Sequence, residues 1–537
     1  MTHLTVPIFV QSREQALAAA ARAAELGADL IEYRLDRLVD AGQGRDITDL
    51  VQASALPCII TVRPTWEGGH CDADDATRAA VFQAACAGVR KPAYLDLELV
   101  SYQRSPQLRE CVEKLVDHPG QITATSTGLI LSSHDFQGRP ADLLQRLEAM
   151  TQAPACRVIK LAWLARSLRD NLEAFEIIQQ QYKPTIALCM GEFGLPSRVL
   201  AKKFGALLTF AALDEDSNTA PGQPTLADLK RLYRWDHLTA ATEVFGVVGW
   251  PVGHSLSPHV HNAGFAATHR DAVYLPMPVA PAFESFKATV GTWLDFAPLH
   301  FRGCSVTIPH KENLLRFVTE RGGDIEPLAA HIGAANTLSV RANGKLHASN
   351  SDYAAALDSV CAGMGVPQNE LNGLRIAVIG AGGAARAIVA GFAQHGAAVV
   401  IYNRTLDRAA ALARDFAALP GKVVAAPLDK LCDSCCNVFI NCTPIGMSPH
   451  TDATPLPTDV ATRMSKGVGW GPGVVVFDTI YNPIQTRLLR EARAAGCVAI
   501  SGVEMFVRQA ATQFELWTGV PAPLDVFRAV MLDRLMG

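Results

Sequence analysis

LRIAVIGAGGAARAIVAGFAQHGAAVVIYNR, residues 374–404, decides the fold of the second half of the chain. LRIAVIG reads as a buried strand, a glycine turn opens a helical stretch, and AVVIYNR returns as a strand. Strand, glycine turn, helix and strand make a nucleotide-binding βαβ unit, because glycines let backbone N–H groups approach a pyrophosphate at a helix N-terminus. A glycine motif alone is weak; the flanking strand and helix strengthen it. At the end of the second strand, NAD-binding units carry Asp or Glu for the ribose 2′-OH. This chain has Asn403-Arg404-Thr405, with no acid to repel a phosphate and an arginine to pair with one. NADP(H) is the expected cofactor.

Upstream of that unit, Phe245–Gly249 reads as a strand, followed by the loop His254-Ser255-Leu256-Ser257-Pro258. Ser257 suits an N-cap and Pro258 the first helical position, so two hydroxyls at a positive helix end form a carboxylate cradle. Lys311 and Asp352 supply the minimum set for protonating an alkoxide during hydride transfer.

The first 235 or so residues have another rhythm. Short β-rich runs at Thr5–Val10, Asp29–Arg34, Cys58–Arg63, Ala93–Glu98, Gln121–Thr125 or Leu129–His134, Arg157–Trp163, Thr185–Met190 and Ala206–Ala211 alternate with helical stretches. Eight β/α units of this size fit a closed parallel barrel, whose chemistry sits at the C-terminal ends of its strands. Polar residues gather there: Glu32, Arg34 and Asp36; Arg63, with Glu67-Gly68-Gly69 in the loop; His134; Lys160; Arg198; and Thr219 to Gln223. Lys160 lies between apolar neighbours, where burial disfavours the ammonium and leaves an amine able to attack a ketone. A nearby histidine can then move a proton, and arginines suit a carboxylate. The set points to a lyase acting on a small anionic keto acid.

The 537 residues predict three or four units, and 49% hydrophobic residues suffice for several cores. A net charge of −4 argues against a nucleic-acid binder. No apolar run reaches the ~18–20 residues of a membrane span, and the first residues read as neither a secretion signal nor a transit peptide. The 13 cysteines, an odd number, look like reduced thiols of a cytoplasmic protein, and the cluster Cys432, Cys435, Cys436 lacks the partners of a metal site.

The motifs IEYRLD, TVRPTWEGG, SSHDF, VIKLAW, CMGEFGLPSR, LTFAAL and TAPGQPT resemble, in order, those of type I 3-dehydroquinate dehydratase over residues 4–235. The resemblance implies a Schiff base on Lys160, His134 as general acid/base, and substrate contacts from Glu32, Arg34, Arg63, Arg198, Thr219 and Gln223. Thr219 stands where many members have Ser, and the hydroxyl is kept. Residues 244–537 resemble shikimate dehydrogenase through VVGWPVGHSLSPHVHN, VTIPHK, IGAANTL, NSDY, VIGAGGAARA, YNRT, NCTPIGM, FDTIYNP and SGVEMFVRQAATQF. That implies Lys311 as acid/base beside Asp352, and substrate contacts from Ser255, Ser257, Thr307, Asn336, Asp352, Tyr481 and Gln509. NADP contacts are implied for Gly380, Ala381, Gly382, Gly383, Ala384, Asn403, Arg404, Thr405, Arg408, Thr479 and Gly502. The whole chain resembles the fused dehydratase–dehydrogenase, which makes shikimate from 3-dehydroquinate on the way to chorismate and the aromatic amino acids.

The expected architecture is α/β: a (β/α)8 TIM barrel (1–236), a substrate-binding domain (243–356), a Rossmann NADP-binding domain (372–500) and C-terminal helices returning to the substrate domain (501–537). Expected partners are small molecules, with no nucleic acid and no membrane. Ser351 replaces the usual Thr of the NTDG-like motif, and the lost methyl raises quinate or dehydroquinate as an alternative substrate of the second site. A catalytically dead sensor on the same folds is a further rival, opposed by the retention of Lys160, His134, Lys311 and Asp352.

Overall fold

The structure is a computed structural model that describes residues 2–40, 46–121, 125–433 and 435–536. Its first sheet contains β1 (His3–Phe9), β2 (Leu30–Arg34), β3 (Cys58–Thr61), β4 (Tyr94–Glu98), β5 (Gly128–Asp135), β6 (Cys156–Leu164), β7 (Thr185–Met190) and β8 (Leu208–Phe210), in the order β7-β6-β5-β4-β3-β2-β1-β8. Each neighbour pair in that order is parallel, and at the β7/β8 seam the Leu207 N–H donates to the Thr185 carbonyl at 2.9 Å. This is the eight-stranded barrel. The fifth strand is the second of the two candidate runs; residues 122–124 of the other lie outside the described residues.

Side chains alternate along a strand, so every second residue enters the barrel. One inward tier is apolar: Leu30, Ile59, Ile130, Val158, Ile186 and Leu208 share a buried cluster, with Tyr94 packed against it. Two residues further along, the same rows read Glu32, Thr61, Asp96, Ser132, Lys160, Leu188 and Phe210. The strands thus close a dry floor and then turn polar on one side of the barrel, where the loops begin.

The second sheet contains β9 (Glu243–Gly249), β10 (Ala272–Pro278), β11 (Phe301–Val306), β12 (Asp324–Ile325), β13 (Thr337–Val340) and β14 (Leu346–Ser349), in the order β10-β9-β11-β13-β14-β12. It is mixed: β11/β13 and β13/β14 are antiparallel, and β12/β14 is parallel.

The third sheet contains β15 (Arg375–Ile379), β16 (Ala398–Asn403), β17 (Val423–Pro427), β18 (Val438–Asn441), β19 (Val475–Asp478) and β20 (Val498–Ile500), all parallel, in the order β17-β16-β15-β18-β19-β20. That is the doubly wound 3-2-1-4-5-6 order. Ile376 and Val378 enter one buried cluster, Ala377 and Ile379 another, so both faces of the sheet are covered. The topological switch lies between β15 and β18, where such folds place their ligand crevice.

The chain forms two compact units: Met1–Glu243 with Asp271–Val279 and Ala288–Phe301, and the remainder. In the first, the Trp293 indole N–H donates to the Leu168 carbonyl, and Lys203 Nζ lies 2.8 Å from the Ala240 carbonyl and 3.0 Å from that of Thr242. In the second, the helix Gly502–Thr518 lies along β13: Gln513 Nε2 donates to Thr337 Oγ1 at 3.0 Å, and Trp517 Nε1 to the Leu338 carbonyl at 3.0 Å.

Candidate active sites

The barrel's polar tier opens into a cavity lined by Glu32, Arg34, Arg63, Glu67, His134, Lys160, Arg198, Thr219 and Gln223, with Phe136, Leu188, Met190 and Phe210 as apolar wall. All the residues expected at this site from the sequence are brought together. Lys160 has acidic neighbours that its apolar sequence context does not show. Its ammonium is not isolated among apolar groups: Nζ lies 2.7 Å from Asp96 Oδ2 and 3.4 Å from Glu32 Oε1, and 4.6 Å over the Phe210 ring.

Three arginines face the cavity, and their partners separate them. Arg34 is held in a fork by Asp36, with contacts of 3.2 and 2.6 Å. Arg63 gives its terminal nitrogens to Glu98, Ser132 and Asp96. Arg198 is 1% exposed, and its Nε and Nη2 have no hydrogen-bond partner among the described residues. Burial draws its guanidinium down to about 10, so it stays cationic at neutral pH. A buried cation without an acid is costly unless a ligand anion completes it. Gln223 is prepared in a similar way. Its Oε1 accepts from the backbone N–H and hydroxyl of Thr219, while its Nε2 is buried without a partner among the described residues.

His134 is seated by Glu67, whose Oε1 accepts the His134 backbone N–H at 2.7 Å and lies 3.1 Å from Nδ1. A hydrogen on Nδ1 would donate to that oxygen and leave Nε2 with a lone pair. Burial, then the charges of Arg63 and Lys160, hold His134 well below the usual imidazole range; it is neutral and able to take a proton. Burial pushes the Glu67 carboxyl up to about 8 from its ordinary 4.5. Through that interval the unfolded chain has lost the proton and the folded protein keeps it, so stability falls as pH rises and levels off above about 8. Glu67→Gln keeps the acceptor and removes the titration. Its stability relative to the unaltered protein should rise by on the order of a few kcal/mol between about pH 5 and pH 8, as read by urea midpoints. A constant difference across that range would contradict the assignment.

The second pocket is lined by Val247, Pro251, Val252, His254, Ser255, Ser257, Ser305, Val306, Thr307, Lys311, Asn336, Tyr481, Phe506, Gln509 and Gln513. Lys311 is the first residue of the helix Lys311–Glu320, a poor place for a cation in the field of a helix N-terminus. Asp352 offsets this: its Oδ2 accepts from Lys311 Nζ at 2.6 Å, while its Oδ1 accepts from Asn336 Nδ2 at 2.8 Å. Asp352 is thereby bonded to two residues of the pocket lining. The serine roles differ from expectation. Leu256 is the N-cap of the helix Ser257–Ala267, Ser255 Oγ accepts the Ser257 N–H at 3.3 Å, and the Ser257 hydroxyl makes no cap bond. Ser255 therefore braces the turn, and Ser257 opens it to the pocket.

Ser351 corrects the quinate alternative. It is 2% exposed, bonded to Asn336 and outside the pocket lining, so its missing methyl does not enlarge the wall.

At the switch point of the third sheet, Gly380 has φ +112° and lies against the Cys442 backbone and the Thr443 methyl. Gly382 caps the helix Gly383–Gln394, and a Cβ on Gly382 or Gly383 would meet nothing within 4 Å. Ala381 and Ala384 flank this open, donor-rich turn. After β16, Asn403 Nδ2 donates to the Thr405 carbonyl at 2.9 Å, and Arg404, Thr405 and Arg408 are exposed. Among the described residues no hydrogen bond or ion pair occupies the side chain of either arginine. These residues fit a dinucleotide phosphate. The Thr479 hydroxyl instead donates to the Asn441 carbonyl at 2.9 Å. A Cβ on Gly502 would strike the Thr479 carbonyl at 2.4 Å, so this glycine serves a close backbone approach.

Sequence reasoning gave no role to Asp96, Glu98, Thr61 or Ser132, and quoted Glu67 without one. The signal was present for the strand residues, in the period-2 row leading from Tyr94 through Asp96 to Glu98. Phe506 and Gln513 were also missed; with Gln509 they share one helix face at i, i+3 and i+7.

A barrel with a buried lysine among acids, followed by a dinucleotide-binding fold with its own lysine pocket, defines a two-site enzyme, a lyase joined to an oxidoreductase. Comparison with known proteins says which. Residues 4–240 match type I 3-dehydroquinase, 247–338 the shikimate dehydrogenase substrate binding domain, 365–443 shikimate / quinate 5-dehydrogenase, and 502–532 the shikimate 5'-dehydrogenase C-terminal domain. The chain is 36% identical over 542 residues to the chloroplastic bifunctional 3-dehydroquinate dehydratase/shikimate dehydrogenase of Arabidopsis thaliana, covering 98% of this chain and 84% of that one. It is 41% identical over 297 residues to a shikimate dehydrogenase (NADP(+)) of Methanosarcina mazei, covering 55% of this chain and 99% of the relative. The solved structure of dehydroquinate dehydratase and shikimate dehydrogenase from S. pombe AroM is 25% identical, with TM-score 0.46, over 99% of this chain and 98% of that one. The chain belongs to the bifunctional 3-dehydroquinate dehydratase/shikimate dehydrogenase family. It is a 3-dehydroquinate dehydratase and an NADP-dependent shikimate dehydrogenase; the quinate alternative is not favoured.

Proposed function

We propose that the two pockets carry out consecutive steps with the following division of labour. In the barrel, Lys160 forms an imine with the ketone of 3-dehydroquinate, and the cation so formed acidifies the adjacent carbon. Neutral His134 takes that proton through Nε2 and returns it to the departing hydroxyl. Arg198 holds the substrate carboxylate, while Glu32, Arg34, Thr219 and Gln223 meet the ring hydroxyls. Arg63, bound to Asp96 and Glu98, keeps the acids in place. The observation that carries this reading is Arg198, a buried guanidinium with no acid of its own, lining the same cavity as Lys160.

In the second pocket, Ser257, Ser255, Thr307, Asn336, Tyr481 and Gln509 hold 3-dehydroshikimate. Lys311, steadied by Asp352, gives a proton to the oxygen that becomes the new hydroxyl of shikimate. NADPH supplies the hydride. Gly380 to Gly383 and Ala384 present the dinucleotide cradle, with Asn403, Arg404, Thr405 and Arg408 at the 2′-phosphate and Thr479 and Gly502 shaping the floor. We place the barrel at 1–236, the substrate domain at 243–356, the NADP domain at 372–500 and its closing helices at 501–537. The protein works in the cytoplasm on small molecules, away from nucleic acid. Free thiols at Cys58, Cys71, Cys86, Cys111, Cys156, Cys189, Cys304, Cys361, Cys435, Cys436, Cys442 and Cys497 support a reducing compartment. Among the described residues no helix is long and apolar enough to cross a membrane.

The experiment that tests the cofactor site is Arg404→Ala. A charge-assisted contact is worth ~1.5–3 kcal/mol, so KM for NADPH should rise by roughly 10–100-fold while activity with NADH barely changes. An equal rise for both cofactors would remove Arg404 from the phosphate.

A further inference from the structure

We propose that Asp96 is the counter-ion of the lysine-bound intermediate in the barrel, a role that rests on Lys160 being the imine nucleophile. Asp96 projects inward from β4 and is fully buried. Its two oxygens have separate duties. Oδ1 accepts from Arg63 Nη2 at 2.7 Å and from Ser132 Oγ at 2.6 Å. Oδ2 accepts from Lys160 Nζ at 2.7 Å. Glu32, the other acid near Nζ, is further away at 3.4 Å, and the same oxygen accepts from Thr61 Oγ1 at 2.8 Å. Asp96 is therefore the acid dedicated to the reacting nitrogen. Burial pushes its carboxyl up, but Arg63 and Lys160 together outweigh that and hold it below the usual carboxylate range, so it acts as a fixed charge and not as a base.

Charge balance explains the use. The lysine nitrogen forms a bond to the ketone carbon, the carbonyl oxygen leaves as water, and the nitrogen lone pair closes the C=N bond. Ketone plus ammonium becomes iminium plus water, and the nitrogen keeps one hydrogen and its positive charge. The iminium N–H takes the place of the ammonium N–H on Asp96 Oδ2. The carboxylate thus needs no reorganisation as the intermediate forms. When the neighbouring carbon loses its proton, the electrons move onto the nitrogen and the pair is discharged; departure of the hydroxyl, protonated to water, draws them back and restores the iminium and the pair, and hydrolysis of the product iminium returns the lysine ammonium.

Asp96→Asn keeps the shape and removes the charge. We expect dehydratase kcat to fall by ~10²–10³-fold with little change in KM, as for loss of one preorganised electrostatic partner. Borohydride trapping with 3-dehydroquinate should yield less adduct by intact mass. Calorimetric binding of a cyclohexane polyol carboxylate without a ketone, held by Arg198 and Gln223, should persist. Normal kcat and normal trapping in Asp96→Asn would overturn the counter-ion role. If that variant also loses analogue binding, Asp96→Glu decides: recovery of at least about tenfold in kcat supports the role, and no recovery overturns it. Absence of any Lys160 adduct in the unaltered protein would instead refute the imine reading on which the role rests.

Discussion

Lys160→Ala is expected to lower the dehydratase kcat by on the order of 10⁴-fold or more and to leave the reductase unchanged. The size follows from what is lost. Lys160 supplies the atom that bonds to substrate, and among the described residues no second amine lines the cavity to replace it. Without the imine, the proton must be removed from the carbon beside an uncharged ketone, and the oriented His134 has little left to act upon. The variant should still bind substrate, because Arg198 and Gln223 are untouched. The reductase is a direct internal control, since Lys311 and Asp352 belong to a separate pocket on the same chain. A Lys160→Ala protein that retained dehydratase turnover within tenfold, measured by appearance of the conjugated product, would reduce that lysine to an ion-pair partner of Asp96.

Lys311→Ala should have the mirror effect. Reduction of the ketone places negative charge on oxygen, and general acid catalysis of this kind contributes about 10²–10⁴-fold. Reductase kcat should fall by that factor, with KM moving much less, because the proton is given only as the transition state is reached. Ser257→Ala offers the contrast. Its hydroxyl lines the pocket without a capping duty, so its loss should fall on KM. Steady-state kinetics with 3-dehydroshikimate and NADPH separate the two patterns. Near-normal kcat in Lys311→Ala would assign that lysine to binding alone.

Periodicity carried most of the fold. The βαβ unit around Gly380–Gly383 was legible because an unbroken apolar strand, a glycine turn and a helix follow one another in sequence. The barrel was legible through its eight alternating units, although the fifth strand needed the structure to choose between adjacent runs. The charged residues at strand ends were found because a core does not choose them. Asp96 escaped for the opposite reason: Leu95, Leu97 and Leu99 around it made YLDLEL look like ordinary apolar strand, and only the parity of the row reveals that it points inward with Lys160. The serine turn shows another limit. Ser255 and Ser257 both suit a helix start, and one backbone step decides which braces the turn. Ser351 likewise cannot be placed beneath the wall or in it without coordinates. The partners of Arg34, Arg63 and Arg198 are distributed over several strands and loops, so sequence alone offered three similar arginines where the structure leaves one without an acid.

The central claim is that one chain holds two separate sites working in order, and NADPH oxidation driven by 3-dehydroquinate tests it most directly. The unaltered protein should consume NADPH and release shikimate. Lys160→Ala should consume none with 3-dehydroquinate and yet reduce added 3-dehydroshikimate at the normal rate. NADPH oxidation by Lys160→Ala with 3-dehydroquinate, yielding quinate, would contradict the account, because it would mean that the second pocket takes the undehydrated ring.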